Sequence, residues 1–155
     1  MTAVFKSVCA VALLCAAAPT SAQTIGAADP KGVAGAMQAA GYRAKLTTDG
    51  VGDPKIESSA EGVNYSLYFY GCSAGTDCTS LLFQAGFDLP DGTTHDVVNA
   101  WNRDRLIGAA WLDHENDPFI EHYVTTVGGL TPDNFAEVLR MWSVAIADFK
   151  THIDF

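Results

Sequence analysis

Positive charge is scarce in this sequence. Of its 155 residues, 9 are Lys or Arg and 18 are Asp or Glu, so the formal net charge is −9. Binding to a phosphate backbone requires clustered Lys and Arg, whereas the basic residues that follow Lys6 are scattered along the chain. We therefore expect no nucleic-acid partner.

The sequence also lacks an apolar run that could cross a bilayer. Its longest apolar run covers about 12 residues, from 7 to 18, whereas a spanning helix needs roughly 20. Lys6 precedes this run, and a proline with three small residues follows it, which is the pattern of a secretory signal.

We therefore predict a signal peptide over residues 1–22, with cleavage between Ala22 and Gln23. Residues 23–155 would form a single domain in the periplasm or the extracellular medium. Because no second apolar segment of spanning length follows, we expect no membrane insertion after cleavage.

Cysteine is scarce as well, since there are four and the predicted signal peptide contains two of them. The remaining pair, Cys72 and Cys78, is separated by five small or polar residues between two apolar segments. An exported protein is exposed to oxidation, so we predict a disulfide that joins the facing ends of a hairpin. The spacing differs from the Cys-x-x-Cys of redox enzymes, which favours a structural role.

No recognisable catalytic set is present, and no Gly-x-Ser-x-Gly nucleophile motif occurs. Asp113, Glu115 and Asp117 imitate the first three positions of a calcium loop. The pattern then fails, because Pro118 and Val124 occupy the positions of the required glycine and glutamate. A charged hairpin turn is the simpler interpretation, and we predict no catalytic residue, cofactor or metal.

The sequence pattern predicts an α+β fold, an antiparallel sheet meander with flanking helices in the order α-β-β-β-β-α-β-β-α. Helices are predicted over 30–40, over 95–104 and over about 21 residues from 132, and strands over 42–48, 55–60, 63–70, 79–87, 106–113 and 119–127.

The third predicted strand alternates clearly between two faces. Leu67 and Phe69 fall on the face that packs, while Tyr68 and Tyr70 fall on the other. Tyrosine combines apolar area with a polar tip, which suits protein contacts. Tyr68 and Tyr70 are therefore candidates for a binding surface, unless a helix covers that face too.

The stretch Asp-Val-Val-Asn-Ala-Trp-Asn-Arg-Asp-Arg-Leu-Ile-Gly-Ala-Ala-Trp-Leu-Asp, residues 96–113, resembles the central motif of the YbjN-domain family. Members of this family are also labelled bacterial sensory transduction regulators. The looser similarity extends over about residues 40–153. It implies a fold similar to type III secretion chaperones, which are small proteins that bind polypeptide segments and often dimerise. No catalytic residues are established for the family.

Three residues of this motif, Trp101, Asn102 and Arg103, are further candidates for the binding surface. A structural role is the simpler interpretation for each of them. Trp101 belongs to the apolar stripe of its helix, Asn102 can bridge backbone groups at the helix end, and Arg103 suits the helix dipole.

Two function classes remain open on this basis. The first is an exported non-enzymatic module, regulatory or chaperone-like, that binds a protein, a peptide or a second copy of the chain. The second is a small-ligand or metal-binding protein, with hydrolysis as a candidate activity, that uses His95, His114 and His122.

Overall fold

The structure, a computed structural model, describes residues 24–155. Three helices and six strands occur in the predicted order, which confirms the α+β fold. The helices are α1 Pro30–Ala39, α2 His95–Asp104 and α3 Pro132–His152, and the strands are β1 Lys45–Thr48, β2 Pro54–Ala60, β3 Val63–Tyr70, β4 Ser80–Gly86, β5 Ala109–Leu112 and β6 Pro118–Thr125. The predicted signal peptide and its cleavage site between Ala22 and Gln23 lie outside the described residues.

Each helix is preceded by a residue whose side chain caps it. Asp29 accepts a hydrogen bond from the backbone of α1, Thr94 from α2 and Thr131 from α3. Such caps satisfy backbone N–H groups that the first helical turn leaves unpaired. Proline stands at the start of α1 and of α3, where its missing N–H does no harm.

The six strands form one antiparallel sheet in the order β1-β2-β3-β4-β6-β5. The first four strands follow one another as a meander. The chain then passes through α2, and β5 lies at the far edge while β6 returns between β5 and β4. Strands β4 and β6 are therefore neighbours although α2 and β5 separate them in sequence.

The core lies between one face of this sheet and the helices. Trp142 of α3 packs against Tyr65 and Phe83, with ring centroids 5.8 and 5.7 Å apart, and Phe149 packs against Trp101 of α2 at 4.9 Å. All five rings are buried. Because side chains alternate along a strand, the opposite face carries the intervening residues and is only partly covered.

Three helices lie within residues 24–155. None of the helices in this part of the chain combines the length and the apolar character that crossing a bilayer requires.

Candidate functional site

The sheet face opposite the core, which we call the open face, carries a group of large side chains. Tyr68 of β3 is directly opposite Leu82 of β4, and Leu82 is opposite Tyr123 of β6. Tyr70 lies two residues beyond Tyr68 on the same face. Tyr123 is 60% exposed and Tyr70 49% exposed, while Tyr68 and Leu82 are half-buried. We call these four residues the tyrosine patch.

The alternation predicted for β3 is present, since Leu67 and Phe69 are buried in the core. Sequence reasoning did not include Tyr123 or Leu82 in the surface. Both residues alternate correctly within their own strands, but only the adjacency of β4 and β6 brings them beside Tyr68.

A second pair of aromatic rings lies at the other end of the open face. Trp111 of β5 stacks on Phe119 of β6, with ring centroids 4.5 Å apart and planes 12° from parallel. The indole Nε1 of Trp111 donates a hydrogen bond to Glu121 at 3.2 Å. Trp111 is 38% exposed, whereas Trp101 and Trp142 are buried.

Between the two aromatic groups runs a row of polar side chains. Glu57, Ser66, Gln84 and Glu121 are successive cross-strand partners on β2, β3, β4 and β6. The ammonium of Lys45 donates a hydrogen bond to Glu57 at 3.0 Å, and this bond lowers the pKa of the Glu57 carboxyl. The open face thus offers both apolar and hydrogen-bonding contacts.

The central motif, residues 96–113, contributes mainly to packing. The prediction that Trp101 belongs to a binding surface is therefore corrected. Trp101 is 1% exposed, and its Nε1 donates to the Gly108 carbonyl at 2.7 Å. The amide of Asn102 is bonded to the Ala110 backbone. Arg103 is exposed and pairs with its neighbour Asp104 at 2.8 Å. The apolar stripe of α2 has to be buried, and this places Trp101 inside.

Both the backbone conformation and the close packing at position 108 of the motif require a glycine. Its φ of +84° lies in the left-handed region, which glycine adopts without the strain other residues incur. A Cβ at this position would also lie 2.5 Å from the side chain of Ile120. The motif therefore fixes the approach of the chain from α2 to β5.

The predicted disulfide is present and joins Cys72 to Cys78. It closes the connection between β3 and β4, next to the tyrosine patch. Within this connection the Thr79 N–H donates to the Tyr70 carbonyl at 2.9 Å. The bridge thus fixes the end of the strand that carries Tyr70.

The histidines of the alternative hypothesis lie in different surroundings. His95 begins α2 and His114 lies in the β5–β6 turn, and both are exposed. His122 is half-buried on the core face, directly opposite Phe83, and burial lowers its pKa. No cluster of three ligand side chains within residues 24–155 contains a histidine.

The one such cluster in that range is formed by Asp113, Glu115 and Asp117, whose carboxylate oxygens lie within 4.8 Å of one another. Two of these carboxylates hold the local backbone. Asp113 accepts from the N–H groups of Glu115 and Asp117, both at 2.9 Å, and Asp117 accepts from Leu89 at 2.9 Å. The predicted charged turn is confirmed.

Fold and site together define a small α+β domain that has helices on one sheet face and an accessible second face. The sequence model of the YbjN family, described as "Putative bacterial sensory transduction regulator", matches residues 29–155, and the chain belongs to this family. No curated protein and no solved structure gives a match. The family description names a regulator and no enzymatic activity.

Proposed function

We propose that this protein is an exported, non-enzymatic regulatory module that binds a protein partner through the tyrosine patch. The observation that carries the proposal is the exposure of Tyr70 and Tyr123 on a sheet face that no helix of residues 24–155 covers. Regulation is the role given in the family description. Partner binding and export are our additions to this role.

The composition of the tyrosine patch suits a protein contact. Aromatic residues are enriched at the centres of protein interfaces, and tyrosine supplies large contact area with few rotatable bonds. The side chains needed for the core point the other way, towards Trp142. The patch can therefore be covered by a partner without any rearrangement of the core.

Export is supported by the disulfide between Cys72 and Cys78, because such bonds persist in oxidising compartments and are rare in the cytosol. The signal-like residues 1–22 point the same way. Intact-mass spectrometry of protein from the native envelope tests this step. We expect a chain that begins at Gln23, and a retained Met1 would contradict export with cleavage.

A non-enzymatic role is supported by the structural role of the acidic turn formed by Asp113, Glu115 and Asp117. Two of its three carboxylates, those of Asp113 and Asp117, accept hydrogen bonds from backbone N–H groups. The three histidines that could support chemistry lie on separate elements. A partner-binding surface, in contrast, needs only the exposed groups that the open face presents.

A rival surface exists on the helical side of the domain. Leu106, in the connection between α2 and β5, is fully exposed, and Val144 on α3 is 48% exposed. They line a pocket of about 320 Å³ together with Met141. Any experiment on the tyrosine patch should therefore include this second surface as its control.

Site-specific photo-crosslinking tests the proposal directly. A photoreactive phenylalanine analogue is placed at position 70, 123 or 144 in the full chain, expressed in the native host. We expect positions 70 and 123 to yield the same discrete adduct and position 144 to yield none. An adduct of twice the monomer mass would identify the partner as a second copy.

Competition supplies the control for specificity. Added unlabelled protein should suppress the adduct from position 123, whereas protein with Tyr70→Ser and Tyr123→Ser should not. A discrete adduct at position 144 alone would contradict the proposal and move the binding surface to the helical side.

A further inference from the structure

A polar groove crosses the open face beside the tyrosine patch, and nothing in the proposed partner binding requires it. Its volume is about 480 Å³. Tyr68 forms one wall, where the patch and the groove meet, and the ring of Phe119 forms the other. The remaining lining includes Arg43, Glu57, Asn64, Ser66 and Gln84.

Several hydrogen-bonding groups of the groove remain available to a ligand. Asn64 accepts from Arg43 at 3.1 Å through its carbonyl, which leaves its NH₂ group as a donor. Gln84 donates to Glu121 at 3.4 Å, which leaves its carbonyl as an acceptor. The hydroxyls of Ser66 and Tyr68 have no hydrogen-bond partner within the described part of the chain. The groove thus presents donors and acceptors side by side.

Charged groups of both signs border the groove, so neither sign dominates it. Glu57 is paired with Lys45 at 3.0 Å and lies 3.8 Å from Lys55, while the guanidinium of Arg43 is bonded to the Asn64 amide. The whole chain has a formal charge of −9, so an anionic ligand would be repelled from most of the surface. An uncharged ligand therefore fits this groove better than a phosphate, a carboxylate or a cation.

The Phe119 wall is held in place from both sides. Its ring occupies the space that Gly86 leaves open, since a Cβ on Gly86 would lie 2.5 Å from the ring. On the other side the ring stacks on Trp111, whose indole is fixed by Glu121. A fixed aromatic wall beside a polar floor is suited to a ligand that has apolar faces and a polar rim.

Pyranose sugars have this form, because their ring faces carry C–H groups and their rims carry hydroxyls that both donate and accept. A protein side chain usually needs an enclosed apolar pocket as its anchor. The floor of this groove is polar and contains no such pocket. We propose that the groove binds a neutral oligosaccharide, with Ser66, Asn64 and Gln84 bonding its hydroxyls and the ring edge of Phe119 contacting its C–H groups.

The position of Trp111 supplies a readout. It lies against Phe119 and is the exposed member of the three tryptophans, so acrylamide quenching of tryptophan fluorescence reports mainly on this residue. The probes are cellotetraose, maltotetraose and tetra-N-acetylchitotetraose, with tetragalacturonate as a charged control. We expect saturable protection from quenching by at least one neutral probe and none by tetragalacturonate.

Variants then assign the signal to the groove. The combined change Ser66→Ala and Gln84→Ala removes two hydrogen-bonding groups and should weaken binding of the active probe roughly tenfold or more. Asn99→Ala, which removes an exposed amide from α2, should leave the affinity unchanged. Calorimetry on the same variants checks that the fluorescence change reports binding.

Two results would overturn the sugar assignment. One is the absence of saturable protection by every neutral probe up to about 10 mM. The other is protection by an uncharged Gly-Ser-Tyr repeat peptide when none of the sugars protects, which would assign the groove to polypeptide. Neither result bears on partner binding at the tyrosine patch, because crosslinking at positions 70 and 123 measures that separately.

Discussion

The Asn102 side chain on α2 pairs with the backbone of Ala110 on β5. Its Nδ2 donates to the Ala110 carbonyl at 2.9 Å, and its Oδ1 accepts from the Ala110 N–H at 2.7 Å. One amide side chain thus occupies two backbone groups of an edge strand, as a neighbouring strand would. Such pairing protects the edge against addition of another strand.

We expect Asn102→Ala to lower the free energy of unfolding by about 1–3 kcal/mol, because it leaves both backbone groups of Ala110 without their partner. Urea denaturation measures the change. Asn99→Ala on the exposed side of the same helix is the matched control and should stay within about 0.5 kcal/mol. Equal effects of the two substitutions would show that the Asn102 pairing contributes little.

Sequence patterns predicted the bounds of some elements correctly and those of others incorrectly, and the region around the Asn102–Ala110 pairing contains both cases. The bounds predicted for β3 and α2 agree with the structure, because each has an unbroken periodicity and clear turn or cap residues. The strand predicted over 106–113 is shorter in the structure, where β5 covers only Ala109–Leu112. Leu106 is apolar yet fully exposed, and the left-handed Gly108 delays the start of the strand.

Strand order is the second feature that local patterns did not reveal. Alternation within β6 places Tyr123 on one side of its strand, but it does not say which strand lies beside it. Pairing with β4 is a tertiary contact between two strands that α2 and β5 separate in sequence. Two residues of the tyrosine patch were therefore missed for a tertiary reason, whereas Tyr68 and Tyr70 could be recognised within a single strand.

Reduction of the Cys72–Cys78 bond should lower the free energy of unfolding by about 2–2.5 kcal/mol, the chain-entropy value for a loop of this length. The domain should remain folded, since the core supplies most of the stability at this size. Urea denaturation with and without dithiothreitol measures the change. The double variant Cys72→Ser with Cys78→Ser should not respond to the reductant, and unfolding on reduction alone would contradict the expectation.

Trp142→Ala should destabilise the domain by about 3–5 kcal/mol, because the indole is fully buried between Tyr65 and Phe83. His114→Ala in the exposed β5–β6 turn should change the stability by no more than about 0.5 kcal/mol. Urea denaturation of both variants provides the comparison. A large effect at His114 would indicate that the turn contributes more than its exposure suggests.

The lowered pKa of His122 predicts a pH dependence of stability. Burial disfavours the charged ring in the folded state, so the unfolded chain binds the proton more readily below the ordinary histidine pKa of about 6.5. The stability present above this pH should therefore decrease as the pH falls through the lowered pKa. His122→Gln should remove this component of the pH profile in urea denaturation, while His114→Gln should leave it in place.

The tyrosine patch gives the decisive comparison for function. Tyr70→Ser with Tyr123→Ser removes the two most exposed rings of the patch and spares the core, so the melting temperature and the circular dichroism spectrum should change little. Partner binding should be abolished, because interface tyrosines contribute disproportionately to affinity.

The matched control is Leu106→Ser with Val144→Ser, which removes exposed apolar area from the helical side and should leave partner binding intact. Affinity is measured by calorimetry with the partner that crosslinking identifies. Retained affinity in the tyrosine variant together with loss in the control would place the binding surface beside α3. Loss of folding in the tyrosine variant would instead show that these rings stabilise the sheet.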